Sequence, residues 1–267
     1  MFIIKHGIFF IFYPSTPYDI KEKKLYNKNG KRKKEQIKMQ DILRASGIYK
    51  SGYGTVSKLA IFDKEISIGA KGLYCYICSY AGSGETAFPY RKRICEELNI
   101  SEKTYQTYMR ELVAHNYITV EQKKRNNKFS YNIYTIINKM SKNKIKKVIT
   151  GSPLLKGVAE QIDYINGFDD IDLAGYGKMP KTLTTDENIS IKGKAVFGLF
   201  SVHCGNRYKK LATKDAVEIL GISEDTYYKI LKELEHNEYF KRKEIRTKNG
   251  YRKRVLVINP DREKRND

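Results

Sequence analysis

Two stretches of this chain carry the same pattern of residues. Gly52-Tyr53-Gly54, Lys58, Asp63, Ile66-Ser67-Ile68 and Lys71 recur as Gly175-Tyr176-Gly177, Lys181, Asp186, Ile189-Ser190-Ile191 and Lys194, at a constant offset of 123 positions. Beyond a one-residue deletion, Leu98, Ile100-Ser101-Glu102, Thr104-Tyr105, Glu111-Leu112 and Tyr117 recur as Leu220, Ile222-Ser223-Glu224, Thr226-Tyr227, Glu233-Leu234 and Tyr239, at an offset of 122. Chance does not hold so many pairs on one diagonal, and self-similarity at a fixed period marks a repeated structural unit. The expected organisation is a basic disordered arm at 1–41, a first domain at 42–138, a linker at 139–174, a second copy at 175–260 and a disordered tail at 261–267.

The chain has 267 residues, with 51 Lys and Arg against 30 Asp and Glu, a formal net charge of +21. That excess points to a polyanion. An AT-rich genome, which favours Lys, Asn, Ile and Tyr, produces the same bias, so charge alone does not decide. The arm at 21–38 is charged, interrupted by Gly30 and without apolar periodicity. Two readings compete for it: a basic arm lying along phosphates, or a stretch that is not translated because Met39 is the start. The second is preferred, since residues 1–40 offer no element that either later domain needs. The uninterrupted apolar run Ile8 to Tyr13 is far short of the roughly 20 residues of a membrane helix. No membrane association is expected. Four cysteines are too few for a disulfide framework, which fits a reducing cytoplasm.

Local patterning describes each copy. Ser67 reads as an N-cap, followed by Ile68, Leu73, Tyr74, Ile77 and Cys78 at helical spacing to about Tyr80. Ser190 opens the matching helix, with Ile191, Val196, Phe197 and Phe200 on its apolar face. Short helices follow at Tyr90 to Leu98 and at Thr213 to Leu220. Asn99-Ile100-Ser101 and Gly221-Ile222-Ser223 then read as tight turns: a residue that tolerates positive φ, an apolar plug and a Ser cap. In the next helix, Glu102 to His115, Tyr105, Tyr108, Met109 and Leu112 fall on one face. The opposite face shows Lys103, Thr104, Gln106, Thr107 and Arg110, which suit base edges and phosphates. Its counterpart shows Asp225, Thr226, Tyr228, Lys229 and Lys232.

Alternation after each such helix predicts a hairpin. Strands at 117–120 and 129–137 flank a basic stretch with Lys123, Lys124, Arg125 and Lys128. Strands at 239–246 and 251–258 flank the turn Thr247-Lys248-Asn249-Gly250, so that Arg246, Lys248, Arg252 and Arg254 lie on this second hairpin. Basic hairpin tips suit a phosphate backbone. The fold class expected is mainly α with small β-wings: tandem duplicated winged helix-turn-helix domains.

The string SIGAKGLYCYICSYAGSGETAFPYRKRICEELNISEKTYQTYMRELVAHNYITVEQ, preceded by GYGTVSKL, resembles the helix-turn-helix domain of replication initiators and related proteins of plasmids, phages and conjugative elements of Gram-positive bacteria. The resemblance covers 42–137 well and the second copy more loosely. It implies a winged-helix DNA binder.

Other chemistries have weaker signals. Cys75 and Cys78 form a C-x-x-C, but no second pair completes a zinc site and Gly198 and Ser201 replace them in the other copy. Gly82-Ser83-Gly84-Glu85-Thr86 faintly suggests a phosphate-binding loop, but the chain has no G-x-x-x-x-G-K-[ST] pattern. His6, His115, His203 and His236 are scattered, and the tyrosines have no His-x-His metal site near them. No enzyme, cofactor or metal is expected. The function expected is sequence-specific binding of double-stranded DNA, as a replication initiator of a plasmid or mobile element. Lys103, Thr104, Gln106, Thr107 and Arg110 would read bases, with Thr226, Tyr228, Lys229 and Lys232 at an adjacent site. Two alternatives stand: a transcriptional regulator acting on its own operon, and a replisome organiser or helicase loader that contacts host replication proteins. A homodimer is a further partner to consider.

Overall fold

The computed structural model describes residues 47–49, 51–125, 128–137, 139–152, 154–155, 168–170, 175–204, 211–246 and 252–262. The expectations for the N-terminal arm and for Lys248 fall outside them.

Within the compact unit Arg44–Asp267, a 3-10 turn at Gly47–Tyr49 leads into β1 (Tyr53–Ser57), α1 (Lys58–Phe62), α2 (Ile68–Ala81) and β2 (Thr86–Ala87). Next come α3 (Arg91–Glu97), α4 (Glu102–Ala114) and a hairpin of β3 (Ile118–Arg125) and β4 (Lys128–Ile136). After β5 (Lys139–Ser141), α5 (Lys142–Gly151) and β6 (Phe168–Asp170), a closely similar order follows: β7 (Tyr176–Pro180), α6 (Lys181–Thr184), α7 (Ile191–Cys204), α8 (Thr213–Leu220), α9 (Glu224–His236), β8 (Phe240–Arg246) and β9 (Arg252–Ile258). The fold is therefore mixed helix and strand. β2 adds a third strand to the first hairpin, in the order β2-β4-β3, while among the described residues β8 and β9 form a two-stranded sheet.

The boundaries have local causes. The Ser67 hydroxyl accepts from the Ala70 N–H, Ser101 from Thr104, Ser190 from Gly193 and Ser223 from Thr226, so each long helix starts on a serine that satisfies one of its free donors. Asn99 at φ 48° and Gly221 at φ 63° supply the left-handed residue that ends α3 and α8 and swings the chain into the next helix.

α2 and α7 are buried nearly all round. α2 is covered on one side by α4 and α7 by α9, and each packs on another side against the other. Cys75 of α2 meets Gly198 of α7, where an added Cβ would lie 2.7 Å from the Cys75 sulfur. The C-x-x-C pair is thus a packed helix face, and burial pushes the Cys75 thiol up to about 12.

The two halves are joined by matched contacts. β1 and β7 pair antiparallel in a register centred on Thr55 opposite Lys178, with Tyr53 opposite Pro180 and Ser57 opposite Tyr176. At the strand ends the Lys58 N–H donates to the Gly175 carbonyl at 2.9 Å and the Lys181 N–H to the Gly52 carbonyl at 3.0 Å. Two buried lysines cross in the same way. Lys71 of α2 donates to the Ile219 carbonyl of α8, and Lys194 of α7 donates to the Glu97 carbonyl of α3 at 3.3 Å. Each ammonium thereby sits at the C-terminal end of a helix of the other half, α8 or α3, where carbonyls are unpaired and the helix dipole is negative.

The region expected to be a linker begins with structure. β5 and α5 bury Met140, Ile145, Val148 and Ile149, and α5 packs on α1. Lys144 of α5 donates to Asp63 Oδ2 at 2.6 Å, and the Tyr117 hydroxyl donates to the same oxygen at 2.7 Å. The tail expected to be disordered from residue 261 likewise contributes Arg262, which donates to Asp186 Oδ2 at 3.1 Å and to the Tyr239 hydroxyl at 2.7 Å. Tyr239 in turn donates to Asp186 at 2.8 Å. Buried and half-buried carboxylates such as Asp63 and Asp186 need such partners, and the repeated Asp and Tyr supply the same bond in both halves.

Candidate nucleic-acid interface

α4 is held by one face and free on the other. Tyr105, Met109 and Leu112 are buried and Tyr108 is half-buried, whereas Lys103, Gln106, Thr107 and Arg110 are exposed. Glu111, from the edge of the buried face, accepts from both the backbone N–H and the hydroxyl of Ser67, tying α4 to the start of α2. Glu233 of α9 accepts from the Ser190 N–H at 2.6 Å. The exposed face is therefore presented on a helix fixed at its N-cap, along its buried side and at its C-terminal turn.

Not all expected readers are equally available. Lys103, Gln106 and Arg110 point outward. Thr104 shares its hydroxyl with the Ser101 cap at 2.8 Å, and Thr107 donates to the Lys103 carbonyl at 3.0 Å, so the first hydroxyl is already engaged and the second retains mainly acceptor capacity. An apolar hollow lined by Met109, Val113 and Val120 separates α4 from β3, with Gln106 and Arg110 at its edge. Glu102 in the first turn lies 3.7 Å from Arg91, which offsets its charge.

The basic triplet Arg91-Lys92-Arg93 at the start of α3 was not among the expected contacts, although its sequence signal is plain. All three are exposed; Lys92 and Arg93 pair with Glu96 and Glu97 at 3.7 and 2.8 Å. Helix N-termini and the cations on them are common phosphate ligands. Three exposed aromatics, Phe88, Tyr90 and Tyr131, flank this region, and Phe88 meets Tyr131 edge-on at 6.5 Å.

In the first hairpin, Lys123 is exposed and paired with Glu121 at 2.6 Å, which offsets its charge locally. Lys124, Arg125 and Lys128 lie at the tip of the β3/β4 hairpin, and Arg246, Arg252 and Arg254 on β8 and β9, with Arg246 opposite Arg252 and Glu244 opposite Arg254. The β3 strand runs further than expected, to Arg125, which extends the first wing.

α9 repeats the arrangement with different chemistry. Tyr227, Ile230 and Leu234 are buried, while Tyr228, Lys229 and Lys232 are exposed. Thr226 is half-buried with its hydroxyl 2.9 Å from the Ser223 cap, and the Tyr228 hydroxyl lies 3.3 Å from Thr213. Glu224 and Asp225 occupy the first turn. They favour the helix dipole but repel phosphate.

Asp63, Glu65 and His115 bring ligand-type atoms within 4.8 Å of one another. The Lys144 ammonium sits among them, 2.6 Å from Asp63, 3.3 Å from Glu65 and 3.2 Å from His115 Nδ1. Burial alone would raise the Asp63 carboxyl, but hydrogen bonds from Lys144, the Glu65 N–H and Tyr117 hold it below the usual carboxylate value. The cluster is an internal ion-pair network that anchors α5.

The family model for a helix-turn-helix domain matches residues 64–118. The matched segment spans α2, α3 and α4, the elements that fix and present the Lys103 to Arg110 face, and supports a helix-turn-helix DNA-binding domain. Comparisons with curated proteins and with solved structures find no match to the chain. Among the described residues no helix is long and apolar enough to cross a membrane.

Proposed function

We propose that the chain is a sequence-specific double-stranded DNA-binding protein made of two copies of a winged helix-turn-helix unit, and that it initiates replication of a plasmid or mobile element. The observation that carries the DNA-binding part is the outward face of α4: Lys103, Gln106 and Arg110 exposed on a helix whose opposite side is buried, inside a segment that matches a helix-turn-helix domain. Support for a second copy comes from the constant sequence offset together with the matching order of α7, α8, α9, β8 and β9. Lys103, Gln106 and Arg110 read base edges in a major groove. The wings and the Arg91 triplet grip phosphates on either side. No catalytic step is part of this reading, and divalent-metal-dependent cleavage of a supercoiled plasmid by the purified protein would contradict it.

Replication is assigned from the resemblance of residues 42–137 to initiators. Gel shifts against fragments of the replicon that carries the gene test it together with gene removal. Loss of replicon maintenance supports initiation, and changed transcript levels with maintenance intact support the transcriptional alternative. One observation favours a second reading for the C-terminal copy: Glu224 and Asp225 stand where a phosphate would approach α9. In an organiser or loader, α9 would meet a host replication protein, and substituting Lys229 and Lys232 by Ala would leave DNA affinity unchanged.

A further inference from the structure

We infer that a single chain acts as a built-in dimer whose DNA target is an inverted pair of unlike half-sites, rather than two sites in direct repeat. The inference rests on the proposal that both helix-turn-helix units bind DNA and adds the geometry of the site they read together.

The contacts between the halves are those of a two-fold axis. On such an axis residue i meets its own equivalent, and every other contact occurs twice with the partners exchanged. Thr55 lies opposite Lys178, its equivalent at the offset of 123. Cys75 packs against Gly198, also its equivalent. Off the axis, Tyr53 opposite Pro180 exchanges with Ser57 opposite Tyr176, and the Lys58–Gly175 bond exchanges with Lys181–Gly52. Lys71 reaching Ile219 exchanges with Lys194 reaching Glu97, positions that are equivalent at the offset of 122. A strand pair, a helix pair and a pair of buried cations all obey one exchange.

This arrangement fixes α4 and α9 as two-fold related, because each is anchored to its own long helix through Glu111 or Glu233. Two modules on a loose tether could bind half-sites in either orientation. Modules locked about a two-fold axis and reading one duplex must place that axis on a local dyad of the DNA, so the half-sites run in opposite directions. The half-sites cannot be identical. Lys103, Gln106, Thr107 and Arg110 of α4 face Asp225, Tyr228, Lys229 and Lys232 at the equivalent places of α9.

Selection of the full-length chain on a random duplex library, followed by footprinting, identifies the two half-sites. Duplexes carrying them inverted, in direct repeat or singly at the selected spacing are then compared. The inverted duplex should bind at least about ten-fold more tightly than either other arrangement, since linked engagement raises effective concentration. Native mass measurement should find one chain per duplex. K103A should relax base preference in one half-site only, and K232A in the other. Equal binding to the direct repeat or to a single half-site would overturn the inference while leaving DNA binding intact, as would two chains on the inverted site. Enrichment of no sequence at all would defeat the DNA-reading premise itself.

Discussion

Raising the pH from about 7 to about 9 should stabilise this protein, and two lysines determine the size of the effect. Lys71 and Lys194 are fully buried between the halves. Desolvation pushes both down to about 8 from 10.5, against the opposing pull of Asp63 and Glu111 on Lys71 and of Asp186, Glu233, Glu97 and Glu187 on Lys194. Between those values the folded chain holds fewer protons than the unfolded one, so stability rises with pH across that window and is unaffected well below it. From about pH 7 to about pH 9 each lysine contributes about 1.3 kcal/mol, roughly 2.5 kcal/mol together. The Cys75 thiol, raised to about 12 by burial, works the other way and removes about 0.4 kcal/mol by about pH 9. The buried tyrosines Tyr76, Tyr117 and Tyr239, all raised chiefly by burial, reverse the trend only above about pH 10. Urea unfolding at several pH values gives the slope directly. K71M should remove about half of it and K71M/K194M nearly all, whatever each substitution does to stability at neutral pH. Stability that stays flat or falls between about pH 7 and 9, or a slope untouched in the double variant, would refute the placement of these ammonium groups between the halves.

Other substitutions test separate parts of the molecule. Gly198→Ala forces a Cβ to within 2.7 Å of the Cys75 sulfur; overpacking costs about 1–3 kcal/mol against a helix-propensity gain of about 1 kcal/mol. Adding Cys75→Ala should remove the clash, so thermal unfolding of the double-mutant cycle should report a coupling of about 1–3 kcal/mol, and additive effects would contradict the close approach. Tyr117→Phe leaves buried Asp63 short of one donor and should cost about 1–3 kcal/mol in denaturant unfolding; a cost under about 0.5 kcal/mol would contradict the bond's role. Ser101→Ala removes the cap of α4 and should cost about 1 kcal/mol, with no loss if the helix starts elsewhere. Lys103→Ala and Arg110→Ala should each weaken specific DNA binding by about 1–3 kcal/mol in anisotropy titrations without changing the unfolding midpoint.

The helix-turn-helix was readable because its determinants are local. Ser67, Ser101, Ser190 and Ser223 cap the helices they were expected to cap, and Asn99 and Gly221 take the positive φ that residue type alone suggested. The apolar stripe of Tyr105, Met109 and Leu112 likewise declares which face of α4 is outward. What stayed hidden is non-local. β1 is a five-residue strand containing Gly54, and its partner β7 lies more than a hundred residues away. α1 and α6 are too short for periodicity to register. α5 opens with the basic run 142–147, which reads as solvated although Ile145 and Val148 of the helix turn inward. Charge misleads most at Lys71 and Lys194, since lysine is almost never fully buried. Their recurrence at the constant sequence offset was the available clue, as it was for Asp63 with Tyr117 and Asp186 with Tyr239. Identical polar residues at equivalent places proved to be internal hydrogen-bond partners, while the outward residues of α4 and α9 differ.

Base recognition by α4 is most directly tested by equilibrium competition at about 150 mM salt, in which a labelled duplex carrying the selected site is displaced by the same duplex with that site scrambled. Specific DNA readers separate the two by about a thousand-fold or more, and that ratio should fall by about ten-fold or more in R110A. A ratio near one for the intact protein, with binding that simply collapses as salt rises, would mean that the positive charge of this chain holds DNA without reading it.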